Sequence, residues 1–171
     1  MDTRLCDKKI NYDQDWTKKH LKSIEHAYFK APYFGDLYPS LEAQLLKKHS
    51  SLTDLTISLI ELISKNLGLT TTFSRARDIP GNAGASLNDR ILEIARAVGA
   101  NSIYLGAKAA EYVYPSYYAP HGVQIEFQNF QHPTYPQQFG EFVEYMSIID
   151  LIVNVGWQQA RRVLLSQSAH P

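Results

Sequence analysis

Three short runs of strand character, separated by stretches of helical period, fill residues 70–130 and constrain the fold more than any other feature. They are TTTF (70–73), NSIYLG (101–106) and GVQIEFQNF (122–130). The first two join β-branched, aromatic and aliphatic side chains that suit a pleated, half-buried surface. In the third, Val123, Ile125 and Phe127 alternate with Gln124, Glu126 and Gln128, the period of a strand with one apolar face. SLNDRILEIARAVGA (86–100) is helical in pattern, with Ser86 placed to cap it and Gly99 to stop it. AKAAEYVY (107–114) can hold a further helix before Pro115. Consecutive parallel strands need a crossover of this kind. The expected fold class is therefore α/β, a parallel, Rossmann-like three-layer sheet.

Helices are expected on either side. DWTKKHLKSIEHAYFKA (15–31) places Trp16, Leu21, Ile24 and Tyr28 near one face. GDLYPSLEAQLLKKHS (35–50) carries a second helix, opened near Asp36 or Ser40. SLTDLTISLIELISKNLG (51–68) is the clearest, capped by Thr53 or Asp54 and stopped at Gly68. A final helix covers SIIDLIVNVGWQQARRVLLS (147–166), with a weak point at Gly156. No repeat or low-complexity tract interrupts the 171 residues, so one domain is expected, with residues 1–14 a flexible lead and 167–171 a flexible tail.

Seventeen Lys and Arg balance seventeen Asp and Glu, which gives no general attraction to nucleic acid or to an anionic membrane. The single cysteine, Cys6, excludes an internal disulfide and any cysteine cluster for zinc. The six histidines are scattered, with no metal-binding spacing, and neither a metal nor a cofactor is expected. No apolar run reaches the length of a membrane span, and the expected location is cytoplasmic.

Ligands of open α/β sheets bind at the C-terminal strand ends. Three stretches are expected there. RARDIPGNAGAS (75–86) offers Arg75 and Arg77 beside a helix N-terminus, a setting for an anionic group, although a solvated turn explains it as well. The turn after NSIYLG is rich in small residues and holds Lys108; a helix-capping turn explains the same residues. QHPTYPQQF (131–139) is the most informative. Pro133 and Pro136 preset its backbone, so side chains are presented at little entropic cost. His132 is the candidate general acid/base, and Tyr135, Gln137 and Gln138, with Gln128 upstream, suit a polyhydroxyl substrate. The alternative is a buried His-Pro turn bonded to backbone carbonyls. Asp150 and Asn154, four apart in the last helix, either tether this loop or mark the helix's wet side, and Glu126 is a further supporting group.

KSIEHAYFKAPYF (22–34), LIELISKNLGLTTTF (59–73), GVQIEFQNFQHPTYPQQFGEF (122–142) and SIIDLIVNVG (147–156) together resemble the WbqC-like family. The resemblance implies a role in tailoring an activated, plausibly nucleotide-linked sugar or similar small molecule by acyl or aminoacyl transfer. Such proteins accompany bacterial surface-polysaccharide, O-antigen and specialised-metabolite gene clusters. Two departures from the family pattern stand out. The family's usual N-terminal segment is read as absent, and Leu105-Gly106-Ala107 replaces the usual Ser-Gly-Pro. The first departure implies uncovered sheet surface, met by a homodimer or a partner chain. A non-catalytic, truncated member that acts as a binding partner is the alternative function.

Overall fold

The computed structural model describes residues 7–79 and 86–166. Cys6, residues 80–85 of the Arg75 loop and the 167–171 tail lie outside the described residues. The chain divides into two compact units, residues 1–70 with 132–171, and residues 71–131.

The first unit is helical. Its elements are α1 (Trp16–Tyr28), α2 (Phe34–Leu46) and α3 (Leu52–Asn66), completed by a long helix, Ile148–Ser166, which is α6 in chain order. Leu21, Leu41, Leu45 and Leu55 pack α1, α2 and α3 together. Leu37, Leu151, Ile152 and Val153 build a second cluster on α6. Within the stretch read as a lead, the Tyr12 hydroxyl accepts from the His49 amide at 2.9 Å, and Leu52 N–H donates to Lys8 O at 3.0 Å.

Local chemistry explains most boundaries. Ser51, rather than Thr53 or Asp54, caps α3, because its Oγ accepts from the Asp54 amide. Gly68 ends α3 at φ 67°, and the Arg161 guanidinium covers the exposed carbonyls of Leu67 and Gly68. α2 starts earlier than Asp36 or Ser40 would place it. Its N-cap is Tyr33, whose amide donates to Val153 O at 2.9 Å. That carbonyl is free because α6 is kinked at Gly156 (φ 76°, ψ 165°), the weak point expected from the sequence.

The second unit contains α4 (Leu87–Ala97), β1 (Ser102–Leu105), α5 (Pro115–Tyr118) and β2 (Gln124–Phe127). Ser86 caps α4 in a reciprocal box with Asp89, and Gly99 follows at φ 68°. β1 and β2 pair in parallel, with Ser102 opposite Gln124 and Leu105 opposite Phe127. Ile103, Leu105, Ile125 and Phe127 pack onto Leu92, Ala95, Val113 and Tyr118.

The three-layer, Rossmann-like sheet is corrected here. Among the described residues the sheet has two strands, and the architecture is helix-rich with a small parallel sheet. Thr71, Thr72 and Phe73 are exposed and form no strand. β-Propensity describes fit to a paired surface, and among the described residues no strand pairs with this stretch. The helix expected over 107–114 is a 3-10 turn at Ala107–Glu111, followed by the single turn of α5 beginning at Pro115.

Candidate functional site

Pro133 and Pro136 withhold two amides, so residues 131–139 form an irregular loop that side chains must anchor. The anchor is Asp150. It lies in the first turn of α6, where unpaired amides and the helix dipole favour a carboxylate. It is 5% exposed, and burial of a charge is costly unless it is hydrogen-bonded. The donors that reach it are neutral. Tyr135 Oη donates to Oδ2 at 2.8 Å, Gln137 Nε2 donates to the same oxygen at 3.0 Å, and Asn154 Nδ2 reaches Oδ1 at 3.3 Å. Tyr28, on α1, also bonds to Asp150. Burial first and the Asp150 carboxylate second push both Tyr28 and Tyr135 up to about 12, so these phenols stay neutral donors at ordinary pH.

Gln137 grips the loop twice over. Its amide nitrogen also donates to Val143 O at 2.9 Å, and its Oε1 accepts from Val143 N–H at 2.8 Å. Asn154 closes the arrangement by donating to Asp150 O at 2.8 Å. Of the two alternatives for Asp150 and Asn154, both residues are buried and Asp150 tethers the loop.

His132 is half-buried at the start of the same loop. Its Nε2 accepts from the Tyr145 amide at 3.0 Å, and its Nδ1 lies 2.9 Å from Pro133 O. An amide only donates and a carbonyl only accepts, so these contacts define a neutral ring with the proton on Nδ1. The imidazole also sits among the rings of Tyr135, Phe142 and Tyr145, with centroids 6.3, 5.7 and 5.1 Å away. Tyr145 has φ 59°, the one positive value at a non-glycine among the described residues, and is 79% exposed. Gln138 is half-buried, and its Oε1 is buried with no partner among the described residues.

The remaining sequence-selected residues lie in the second unit. Glu126 is exposed and accepts from Ser102 Oγ at 2.8 Å. Gln128 N–H extends the strand pairing to Leu105 O at 2.7 Å. Lys108 is exposed on the 3-10 turn. Arg77 pairs with its neighbour Asp78 at 3.5 Å, and Arg75 is half-buried. Among the described residues no cluster of three metal-ligating side chains occurs, and no helix is long and apolar enough to cross a membrane.

The sequence reading missed Tyr28, Phe142 and Tyr145. Tyr28 carried a signal, its place on the inner face of α1; the other two depend on a loop path that no local pattern specifies. It also passed over Asn88, whose Oδ1 accepts from Tyr118 Oη at 2.9 Å and whose Nδ2 donates to Tyr112 O at 3.1 Å. Tyr117 bonds to Asp89 nearby, which holds that carboxyl below its usual range.

The chain is similar to the uncharacterized protein Rv1507c of Mycobacterium tuberculosis, with 26% identity over 144 residues. The match spans 83% of this chain and 62% of the relative, so the chain covers less than two thirds of that protein's length. No solved structure matches. The model of the WbqC-like protein family matches residues 1–162. The match begins at the first residue, and it gives no support to the reading that the family's N-terminal segment is absent. With nearly its whole length matched, from the α1 motif through the His-Pro loop to α6, the chain belongs to the WbqC-like protein family.

Proposed function

We propose that this chain tailors an activated sugar or similar small molecule, by acyl or aminoacyl transfer, in bacterial surface-polysaccharide, O-antigen or specialised-metabolite synthesis. The observation that carries the reading is the buried Asp150 carboxylate, bonded to Tyr135 and Gln137 of the loop that bears His132 and Gln138. A buried charge set among neutral donors makes a rigid frame, and rigid frames are what small-molecule sites require. Family membership supports the class.

In this reading Tyr135, Asn154 and Asp150 brace the loop. The unpartnered Oε1 of Gln138 receives a substrate hydroxyl. His132 acts once the Tyr145 amide leaves Nε2, and takes the proton of the attacking hydroxyl or amine as the acyl bond to the donor breaks. The second reading, a non-catalytic binding partner, is favoured by one fact: both ring nitrogens of His132 are engaged with backbone.

A thermal-shift panel of nucleotide-linked sugars tests the proposal. At least one member raises the melting temperature, and His132→Gln keeps that shift while losing transfer. If no member stabilises the protein, the small-molecule site is wrong. Stabilisation with no transfer, under any acyl or aminoacyl donor, favours the second reading.

A further inference from the structure

Tyr145 is the one non-glycine among the described residues at positive φ, 59°. In this left-handed region the Cβ of an L-residue crowds the neighbouring carbonyl, and turns that need it favour glycine. Bonds at two points hold the segment in place. Gln137 binds both the N–H and the C=O of Val143, and the Tyr145 N–H donates to His132 Nε2 at 3.0 Å. Residues 143–147 are all exposed, so burial of apolar surface adds little to those holds.

That backbone covers the basic nitrogen of the imidazole. With the proton on Nδ1, directed to Pro133 O, the basic lone pair is on Nε2. The Tyr145 amide meets this lone pair as a donor. A substrate hydroxyl or amine would have to bring its own proton to the same place before His132 could take it. The Tyr145 ring stands edge-on to the imidazole, with centroids 5.1 Å apart, although the residue is 79% exposed. The contact therefore imitates the first hydrogen bond of a proton transfer and occupies its position.

We infer that Tyr145 carries a self-inhibitory strap: its backbone amide caps His132 Nε2 until the hydroxyl or amine of an acceptor replaces it, and the left-handed strain at residue 145 sets how readily it leaves. The cost of a left-handed L-residue is of the same order as the net gain from one hydrogen bond. Closure thus wins by a small margin, and a competing donor needs little differential affinity to open the strap. Tyr145 is a positioning residue that acts through His132. The regulatory role rests on the reading of His132 as the acid/base; the capping itself does not.

The probe is diethyl pyrocarbonate, which acylates an imidazole only through an available lone pair. Mass mapping of the full chain reads its rate at His132 separately from the other histidines. Tyr145→Ala and Tyr145→Gly differ by a single Cβ, so their comparison isolates the backbone strain. His132 reacts about threefold more slowly in Tyr145→Gly than in Tyr145→Ala, because the left-handed cost disappears and closure tightens. Tyr145→Val, whose branched side chain tolerates positive φ least, reacts fastest of the three. Hydrogen exchange of the residue 145 amide follows the same order. Equal rates in Tyr145→Ala and Tyr145→Gly, or a faster rate in Tyr145→Gly, overturn the inference. So does a parent protein whose His132 reacts as fast as histidine in a free peptide. If Tyr145→Val fails to fold, the Ala and Gly comparison decides. Ordered rates with no sugar that stabilises the protein keep the strap and remove the transfer reading. Sugars that bind, with rates that do not follow the order, remove the strap alone.

Discussion

The Tyr135 hydroxyl donates to Asp150 Oδ2 across 2.8 Å, and neither residue is more than 7% exposed. This bond joins a loop that has no regular structure to the first turn of the longest helix. Tyr28 and Gln137 converge on the same carboxylate, so α1, α6 and the His-Pro loop share one anchor.

Removal of that bond leaves a buried carboxylate short of a donor. Tyr135→Phe is expected to cost about 1–3 kcal/mol, the range for an orphaned buried hydrogen-bonding group. Urea unfolding of the two proteins measures it. A variant as stable as the parent would show that Asp150 does not anchor the loop.

Alkaline pH acts on the same bonds. The phenols of Tyr28 and Tyr135 are raised to about 12, against about 10 in the unfolded chain. The native state thus holds their protons more tightly. The resulting stability is fully present below pH 10 and is lost as pH climbs from 10 through about 12. Denaturant titrations at stepped pH should show this fall. Tyr135→Phe starts lower and falls less steeply; identical slopes would remove Tyr135 as a source.

Gly156 combines two constraints. Its φ of 76° with ψ 165° lies in a region that glycine alone occupies readily, and an added Cβ would meet the Tyr33 ring at 2.9 Å. Gly156→Ala should destabilise by at least ~1–3 kcal/mol, the usual scale of such backbone strain. Tyr33→Ala in the same chain relieves the collision and leaves the backbone term, so it restores only part of the loss. Complete restoration would mean that the collision alone matters.

Ser86 and Asp89 cap α4 reciprocally, with Asp89 amide donating to Ser86 Oγ at 3.2 Å. Ser86→Ala should cost about 0.5–2 kcal/mol. Hydrogen exchange should report the change as faster opening of the first turn of α4. Unchanged exchange there would deny the cap its role.

What the sequence revealed and what it hid divide along one physical line. α1, α3, α4 and α6 follow from apolar period, and the stops of α3 and α4 from Gly68 and Gly99, because those signals are local. β1 was legible as a short apolar run, and β2 from its alternation. TTTF was misleading, since threonine's preference for strands needs a neighbour to pair with, and among the described residues no strand pairs with Thr71 or Thr72. The start of α2 was hidden because its amide partner, Val153 O, is distant in sequence. In the candidate site, two prolines marked the loop and the Asp150/Asn154 spacing marked the anchor. The engagement of both His132 nitrogens was not legible, since Tyr145 reaches the ring only through its left-handed backbone.

The most direct test watches the His132 ring nitrogens by NMR during titration with nucleotide-linked sugars. Without ligand, the account predicts a neutral ring protonated on Nδ1. A stabilising sugar should then change the Nε2 signal as the Tyr145 amide leaves, and Asp150→Asn should weaken that response. An Nε2 signal unmoved by every sugar that binds, or a free ring protonated on Nε2, would contradict the account.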